Sequence, residues 1–170
     1  MLRLAGCAVI FICCTSLGMI KASVYGQRRR EIENTLELIR LLELEISYRK
    51  ETLSKAFEKT ASMKDCWMSN VLSSCADGLR MERPLSDSWK DAIDMNIQKC
   101  PLTKAETDIL MDISMGLGRS DVQGQSKIFA PALIRLEKCL EDASVQEQKQ
   151  GRMYRGMGVA VGIAAAVVMI

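Results

Sequence analysis

Histidine is absent from this 170-residue chain. The commonest general base, the commonest metal ligand and the side chain that titrates nearest neutral pH are therefore all missing. The seven cysteines include no C-x-x-C pair, so the spacing typical of zinc sites and thioredoxin-like sites does not occur. Neither a G-x-x-x-x-G-K-[ST] loop nor a G-x-G-x-x-G motif is present. These absences predict a protein that is not an enzyme and that binds no cofactor, metal ion or small-molecule substrate.

An excess of one charge sign is also lacking, because the net charge is only +2. A value so close to zero gives no bulk field that would attract nucleic acid. Two acidic pairs, Glu43 with Glu45 and Asp91 with Asp94, lie in helical surroundings. A solvated helix face is the favoured interpretation of each pair over a catalytic dyad, because a perturbed carboxylate needs burial.

Proline is scarce, with three residues, and no segment alternates between apolar and polar residues for long. Both features favour helices over strands. Apolar residues recur at helical spacing in residues 31–48, 52–60, 63–79, 86–97, 103–117 and 122–150. Thr52, Ser86 and the pair Thr103 with Glu106 are predicted N-terminal caps. Pro131 predicts a kink or a break near Ile128, since proline removes a backbone hydrogen bond. The fold class is predicted to be all-α, a compact bundle of about five to six helices.

The two ends of the chain are apolar. Residues 4–20 carry no charge, and residues 156–170 carry no charged or polar side chain. A helix of 17 residues is about 25 Å long, and Lys21 can extend its reach by snorkelling towards the bilayer surface. A cleaved signal peptide is the alternative for the first segment. The predicted organisation is an N-terminal transmembrane anchor over 1–25, a cytosolic bundle over 26–152 and a C-terminal transmembrane segment over 153–170.

Basic residues flank both predicted spans on the side of the central domain. They are Lys21, Arg28, Arg29, Arg30, Arg152 and Arg155. Because Lys and Arg beside a span mark its cytoplasmic side, the central domain is predicted to be cytosolic and attached to the cell membrane by two spans. Contact with the anionic headgroups of the lipid bilayer is also expected.

Gly158 and Gly162 form a small-x-x-x-small pair, which in membrane helices permits close packing against a second helix. That second helix is either the first span, through Cys14 and Gly18, or another protein. Tolerance of glycine in lipid without any packing role is the alternative.

Several short motifs resemble those of one known family. Residues 42–48, Leu-Glu-Leu-Glu-Ile-Ser-Tyr, are similar to the Leu-Glu-x-Glu-Ile-x-Tyr signature of the stage III sporulation protein AB family. Further matches follow in order: Leu53, Ala56, Trp89, residues 117–121 (Leu-Gly-Arg-Ser-Asp), Gln125, Tyr154 and residues 157–159 (Met-Gly-Val). The chain departs from the family where Glu51-Thr52-Leu53 replaces Thr-Pro-Leu and at Pro131. Both departures concern local helix geometry.

The resemblance implies a helical bundle similar to the cytoplasmic domains of type II secretion F-type platform proteins. It implies a place in the channel complex between mother cell and forespore, on the mother-cell side of the outer forespore membrane. There the protein would dock a secretion-type ATPase, the AA component, beside other membrane proteins of the complex. Candidate partner contacts in the matching motifs are Glu43, Glu45, Arg119, Asp121 and Gln125. Helix caps and surface charges are the alternative roles for these residues.

A membrane-anchored helical signalling or sensor module is the competing function. It would transmit motion through the polar residues 141–155, which are predicted to stand clear of the core as a stalk. A sensor needs a ligand-bearing region and two states. The two chain termini, on the side of the membrane opposite the bundle, are expected to be too short to hold a ligand site. This expectation favours the scaffold.

Overall fold

The computed structural model describes residues 2–49, 52–117 and 122–169. Their α-helices are α1 (Leu2–Arg49), α2 (Leu53–Ala61), α3 (Trp67–Arg80), α4 (Leu85–Asn96), α5 (Lys104–Leu117), α6 (Val122–Gln146) and α7 (Arg152–Met169). A 3-10 turn, Ile97–Lys99, follows α4, and a π-helical turn, Glu147–Gly151, joins α6 to α7. No strand occurs in these three ranges, so the predicted all-α class is confirmed.

The chain divides into two compact units. The bundle comprises Arg30–Leu140, and the terminal pair comprises Met1–Arg29 together with Glu141–Ile170. This division does not test the predicted boundaries 1–25, 26–152 and 153–170, which concern the membrane and stay predictions.

The bundle has one apolar core drawn from all its helices. Side chains without any exposed surface include Ile39, Phe57, Trp89, Leu110, Ile113, Phe129 and Leu136. The ring of Trp89 meets that of Phe57 edge-on, with centroids 5.5 Å apart. Cys75 is also fully buried and Cys66 nearly so, and both act as small core residues. The core thus joins α2 to α4 and both to the long helices.

The part of α1 in the bundle buries a wide stripe, as its sequence predicts, but one member differs. Ile32, Leu38 and Leu42 are fully buried, and Leu41 is half-buried. Leu44 is the residue that differs, because it is 52% exposed. It occupies the same outward face as Tyr48, four residues further along the helix.

Two helices start at other residues than the sequence predicts. Helix α4 begins at Leu85 with Pro84 as its N-cap, so the predicted cap Ser86 lies inside the first turn. Helix α3 begins at Trp67, where Cys66 is extended and exchanges hydrogen bonds with Ser69.

The other predicted caps are present in altered form. Thr52 is the N-cap of α2 but makes no side-chain cap bond. The Thr103 amide donates to the Glu106 carboxylate at 2.6 Å, as a capping box requires. The Glu106 amide donates instead to the Thr103 carbonyl, at 3.1 Å, so only half of the predicted box forms.

Pro131 lies inside α6 without interrupting it. The helix runs from Val122 to Gln146, so of the predicted kink or break near Ile128 the break is wrong, and the kink stays a prediction. A proline in a helix interior costs about 3 kcal/mol. Phe129, Ala132 and Leu136 are buried on both sides of it, whereas Pro131 is exposed. Burial of these neighbours offsets the cost and keeps the helix continuous.

The terminal pair consists of the first part of α1 beside the end of α6, the π-helical turn and α7. Residues 141–155 belong to this unit and not to the bundle, which agrees with the prediction that they stand clear of the core. They pack beside α1, and Ala22, Ala143 and Gly151 are buried within the terminal pair. Among the residues described, no helix combines the length and the apolar character that a membrane crossing requires.

Candidate functional site

The first candidate contact residues lie near the end of α1, where residues 42–48 carry the signature motif. Glu45 forms an ion pair with Lys59 of α2 at 2.9 Å, and its side chain is only 11% exposed. Most of the Glu45 side chain is therefore buried, and its role as a partner contact stays a prediction. Its carboxylate holds α2 against α1 within the bundle.

Of the five candidate contacts, the structure describes the side chains of Glu43 and Glu45. Glu43 is half-buried on α1. Arg119 and Asp121 lie outside the described residues, and so does the side chain of Gln125, whose backbone belongs to α6. The roles of these residues as partner contacts stay predictions.

An exposed apolar feature lies at the same motif and was not among the residues predicted from the sequence. Leu44 is 52% exposed and Tyr48 81% exposed, four residues apart on one face of α1. We call Leu44, Tyr48 and the adjacent Glu43 the motif face. Tyrosine is enriched at protein contact surfaces, and an exposed apolar side chain beside it adds area that a partner can cover. The signal in the sequence is the i, i+4 spacing of two apolar residues opposite the buried stripe.

One member of each acidic pair proposed as a solvated face has a structural partner. Asp91 forms an ion pair with Arg83, and Glu45 pairs with Lys59. Burial raises the pKa of the Cys75 thiol to about 12, and it also raises the pKa values of the Cys66 and Cys100 thiols. These thiols are neutral at physiological pH, whereas a nucleophilic cysteine needs a depressed pKa. Within the described ranges no three His, Cys, Asp or Glu side chains converge as metal ligands.

Glu31 is a buried carboxylate whose role is not evident from the sequence. It is 9% exposed, and its Oε1 accepts a hydrogen bond of 3.1 Å from the amide of Met68. Met68 is the second residue of α3, so Glu31 on α1 satisfies one of the free amides at that helix start. A negative charge there also interacts favourably with the helix dipole. The arrangement fixes α3 against α1.

Replacing Glu31 with alanine is expected to lower the free energy of unfolding by about 1–3 kcal/mol, because the buried Met68 amide loses its acceptor. Glu31→Gln retains an acceptor oxygen and should cost less. Urea denaturation of the full-length protein in detergent measures both. Asp108→Ala, at an exposed position on α5, is the control and should change stability by no more than about 0.5 kcal/mol. Equal losses for Glu31→Ala and Asp108→Ala would contradict the capping role.

In the terminal pair, α1 and α7 approach each other at glycines. A Cβ atom built on Gly18 would lie 2.8 Å from the Tyr154 carbonyl oxygen and 3.1 Å from the Cα atom of Gly158. Gly162, one turn further, is buried. The rings of Tyr25 and Tyr154 stack with centroids 6.0 Å apart. Of the two partners considered for Gly158, the structure therefore places the first helix, through Gly18, in contact with it.

The flanking basic residues fall into two groups. Arg28 donates to Gln146 at 2.7 Å, and Arg29 pairs with Glu147 at 2.8 Å, so both connect α1 to the end of α6 and the π-helical turn. The exposed group consists of Lys21, Arg30, Arg152 and Arg155. Arg28 and Arg29 thus contribute to helix packing as well as to the charge of the terminal pair.

Comparison with known proteins gives consistent results. A family model described as stage III sporulation protein AB matches residues 3–170. The chain is 28% identical over 174 residues to the stage III sporulation protein AB of Bacillus subtilis strain 168, with 100% of both chains covered. It is also similar to a solved structure described as stage III sporulation protein AB, at 26% identity and a TM-score of 0.66. That match covers 71% of this chain and 95% of the solved one.

Proposed function

Because the chain belongs to the stage III sporulation protein AB family, we propose that it is a non-enzymatic scaffold of the channel complex between mother cell and forespore. Its apolar ends anchor it in the outer forespore membrane, and its bundle docks a secretion-type ATPase on the mother-cell side. The uncharged residues 4–20 and 156–170 support the anchoring. The contact of Gly18 with Gly158 supports it too, since small residues permit close packing of membrane helices.

The observation that carries the docking proposal is the motif face. Its residues belong to the segment that matches the family signature, yet two of its apolar side chains are exposed instead of contributing to the core. Tyrosine is enriched among the residues that dominate binding energy at protein interfaces. Glu45 and Lys59 hold the end of α1 against α2, so the motif face is presented by a fixed helix.

A binding assay between the full-length protein in detergent and the ATPase of the same complex tests this function. Tyr48→Ala and Leu44→Asp are expected to weaken binding at least about tenfold, as loss of an interface anchor does. Arg119→Glu extends the test to the second motif. Met95→Asp is the matched control, because Met95 is 76% exposed on α4 and lies outside both motifs.

Circular dichroism must show that every variant keeps its helical content. If the ATPase does not bind the wild type saturably, direct docking is wrong and the sensor function becomes the better proposal. If Met95→Asp weakens binding as much as Leu44→Asp, the motif face is not the docking surface.

A further inference from the structure

A groove with basic and apolar walls lies in the terminal pair, along the π-helical turn and its neighbours. It has a volume of about 510 Å³ and is lined by Val145, Gln148, Lys149, Arg152 and Met153. We call these five residues the basic groove. They recur at three- and four-residue intervals, so they share one face of the helix.

The opposite face of the same segment contacts α1. Ala143 and Gly151 are buried there, Glu147 pairs with Arg29, and Tyr154 stacks on Tyr25. Since α1 covers that face, the basic groove is the side of the segment that α1 leaves uncovered. Packing within the terminal pair thus decides which residues are available to a ligand.

The charges of the basic groove suit an anion. Lys149 and Arg152 are exposed, and neither forms an ion pair within the ranges that the structure describes. The acidic side chain nearest in sequence, Glu147, is engaged by Arg29. Arginine can bind a phosphate with two parallel hydrogen bonds, while lysine supplies a point charge and Gln148 a neutral amide donor. These donors together can hold a phosphate group.

The apolar walls distinguish a lipid from a free phosphate. Val145 is 59% exposed and Met153 46% exposed beside the two cations. After Tyr154 and Arg155, residues 156–170 carry no charged side chain. A phospholipid would cover both parts, with its phosphate at Lys149 and Arg152 and its acyl chains along the apolar surface. A free phosphate would leave the apolar side chains exposed to water.

We infer that the basic groove is a binding site for the headgroup of an anionic phospholipid. The inference rests on the proposed membrane location, and it adds a defined site and a lipid class to the general attraction between basic residues and membranes. The bound lipid would fix the depth of the π-helical turn at the membrane surface.

Native mass spectrometry of the full-length protein in detergent tests the site with phosphatidylglycerol, phosphatidylcholine or inorganic phosphate added. We expect phosphatidylglycerol to bind the wild type at least about tenfold more tightly than phosphatidylcholine does. The double variant Lys149→Gln/Arg152→Gln should lose about 30-fold in phosphatidylglycerol affinity, because each basic residue near an anionic surface contributes roughly five- to sixfold to the affinity. Val145→Ser/Met153→Ser should weaken the binding of phosphatidylglycerol. It should not make the protein prefer phosphatidylcholine.

Lys90→Gln/Lys138→Gln removes two exposed charges from the bundle and is the matched control, with no change expected. The site would be overturned if Lys149→Gln/Arg152→Gln and Lys90→Gln/Lys138→Gln lost equal phosphatidylglycerol affinity. It would also be overturned if the wild type showed no preference for phosphatidylglycerol. Displacement of the lipid by an equal concentration of inorganic phosphate would identify a phosphate site and overturn the lipid assignment. The ATPase assay is independent, because Lys149→Gln/Arg152→Gln leaves the motif face intact, so either proposal can fail alone.

Discussion

Replacing Trp89 with alanine is expected to lower the free energy of unfolding by about 3–5 kcal/mol, the usual cost of removing a large buried aromatic side chain. Trp89 has no exposed surface and meets Phe57 edge-on. Its removal leaves a cavity between α2 and α4 that the close-packed neighbours fill only in part. Urea denaturation of the full-length protein in detergent, followed by circular dichroism, measures the loss.

Phenylalanine substitutions at the two tryptophans separate packing from hydrogen bonding. The Nε1 group of Trp89 is buried without a hydrogen-bond partner in the described part of the chain, whereas that of Trp67 donates to the Asn96 carbonyl at 2.9 Å. Trp67→Phe leaves that carbonyl without its donor, but Trp89→Phe removes an unsatisfied group. We therefore expect Trp89→Phe to cost less than Trp67→Phe. The reverse order would contradict the hydrogen-bond assignment.

Replacing Gly18 with leucine is expected to separate α1 from α7. Its Cβ atom would fall 2.8 Å from a backbone oxygen, closer than a non-bonded carbon can approach, and a helix backbone cannot move aside as a flexible side chain can. Overpacking of this kind costs about 1–3 kcal/mol. Hydrogen exchange of the amides in residues 141–158 should accelerate by roughly tenfold or more, since local opening governs exchange.

Gly156→Leu is the matched control, because nothing lies within 4 Å of a Cβ atom built at Gly156. Leucine is a better helix former than glycine, so this substitution should leave exchange unchanged or slow it. Faster exchange in both variants would indicate that the leucine side chain itself disturbs α7. Unchanged exchange in Gly18→Leu would show that the two helices do not pack at this point.

Local patterns in the sequence determined the all-α class and much of the core. The spacing of Trp89 and Ile93, or of Ile109 and Ile113, is set by the helix repeat, and burial follows that repeat directly. The bond from the Thr103 amide to Glu106 spans three residues, which is why the sequence predicts it. The absence of histidine and of phosphate-binding motifs is equally a property of the sequence alone.

Only the tertiary structure decided which distant residues meet. Glu31 reaches the start of α3, Glu45 pairs with Lys59, and Gly18 contacts Gly158. The continuity of α6 through Pro131 also depends on the core that its neighbours enter. Helix periodicity specifies which face of a segment is apolar, but it does not specify the helix that covers that face. That choice depends on packing between segments far apart in sequence, and it determines that the motif face and the basic groove remain exposed.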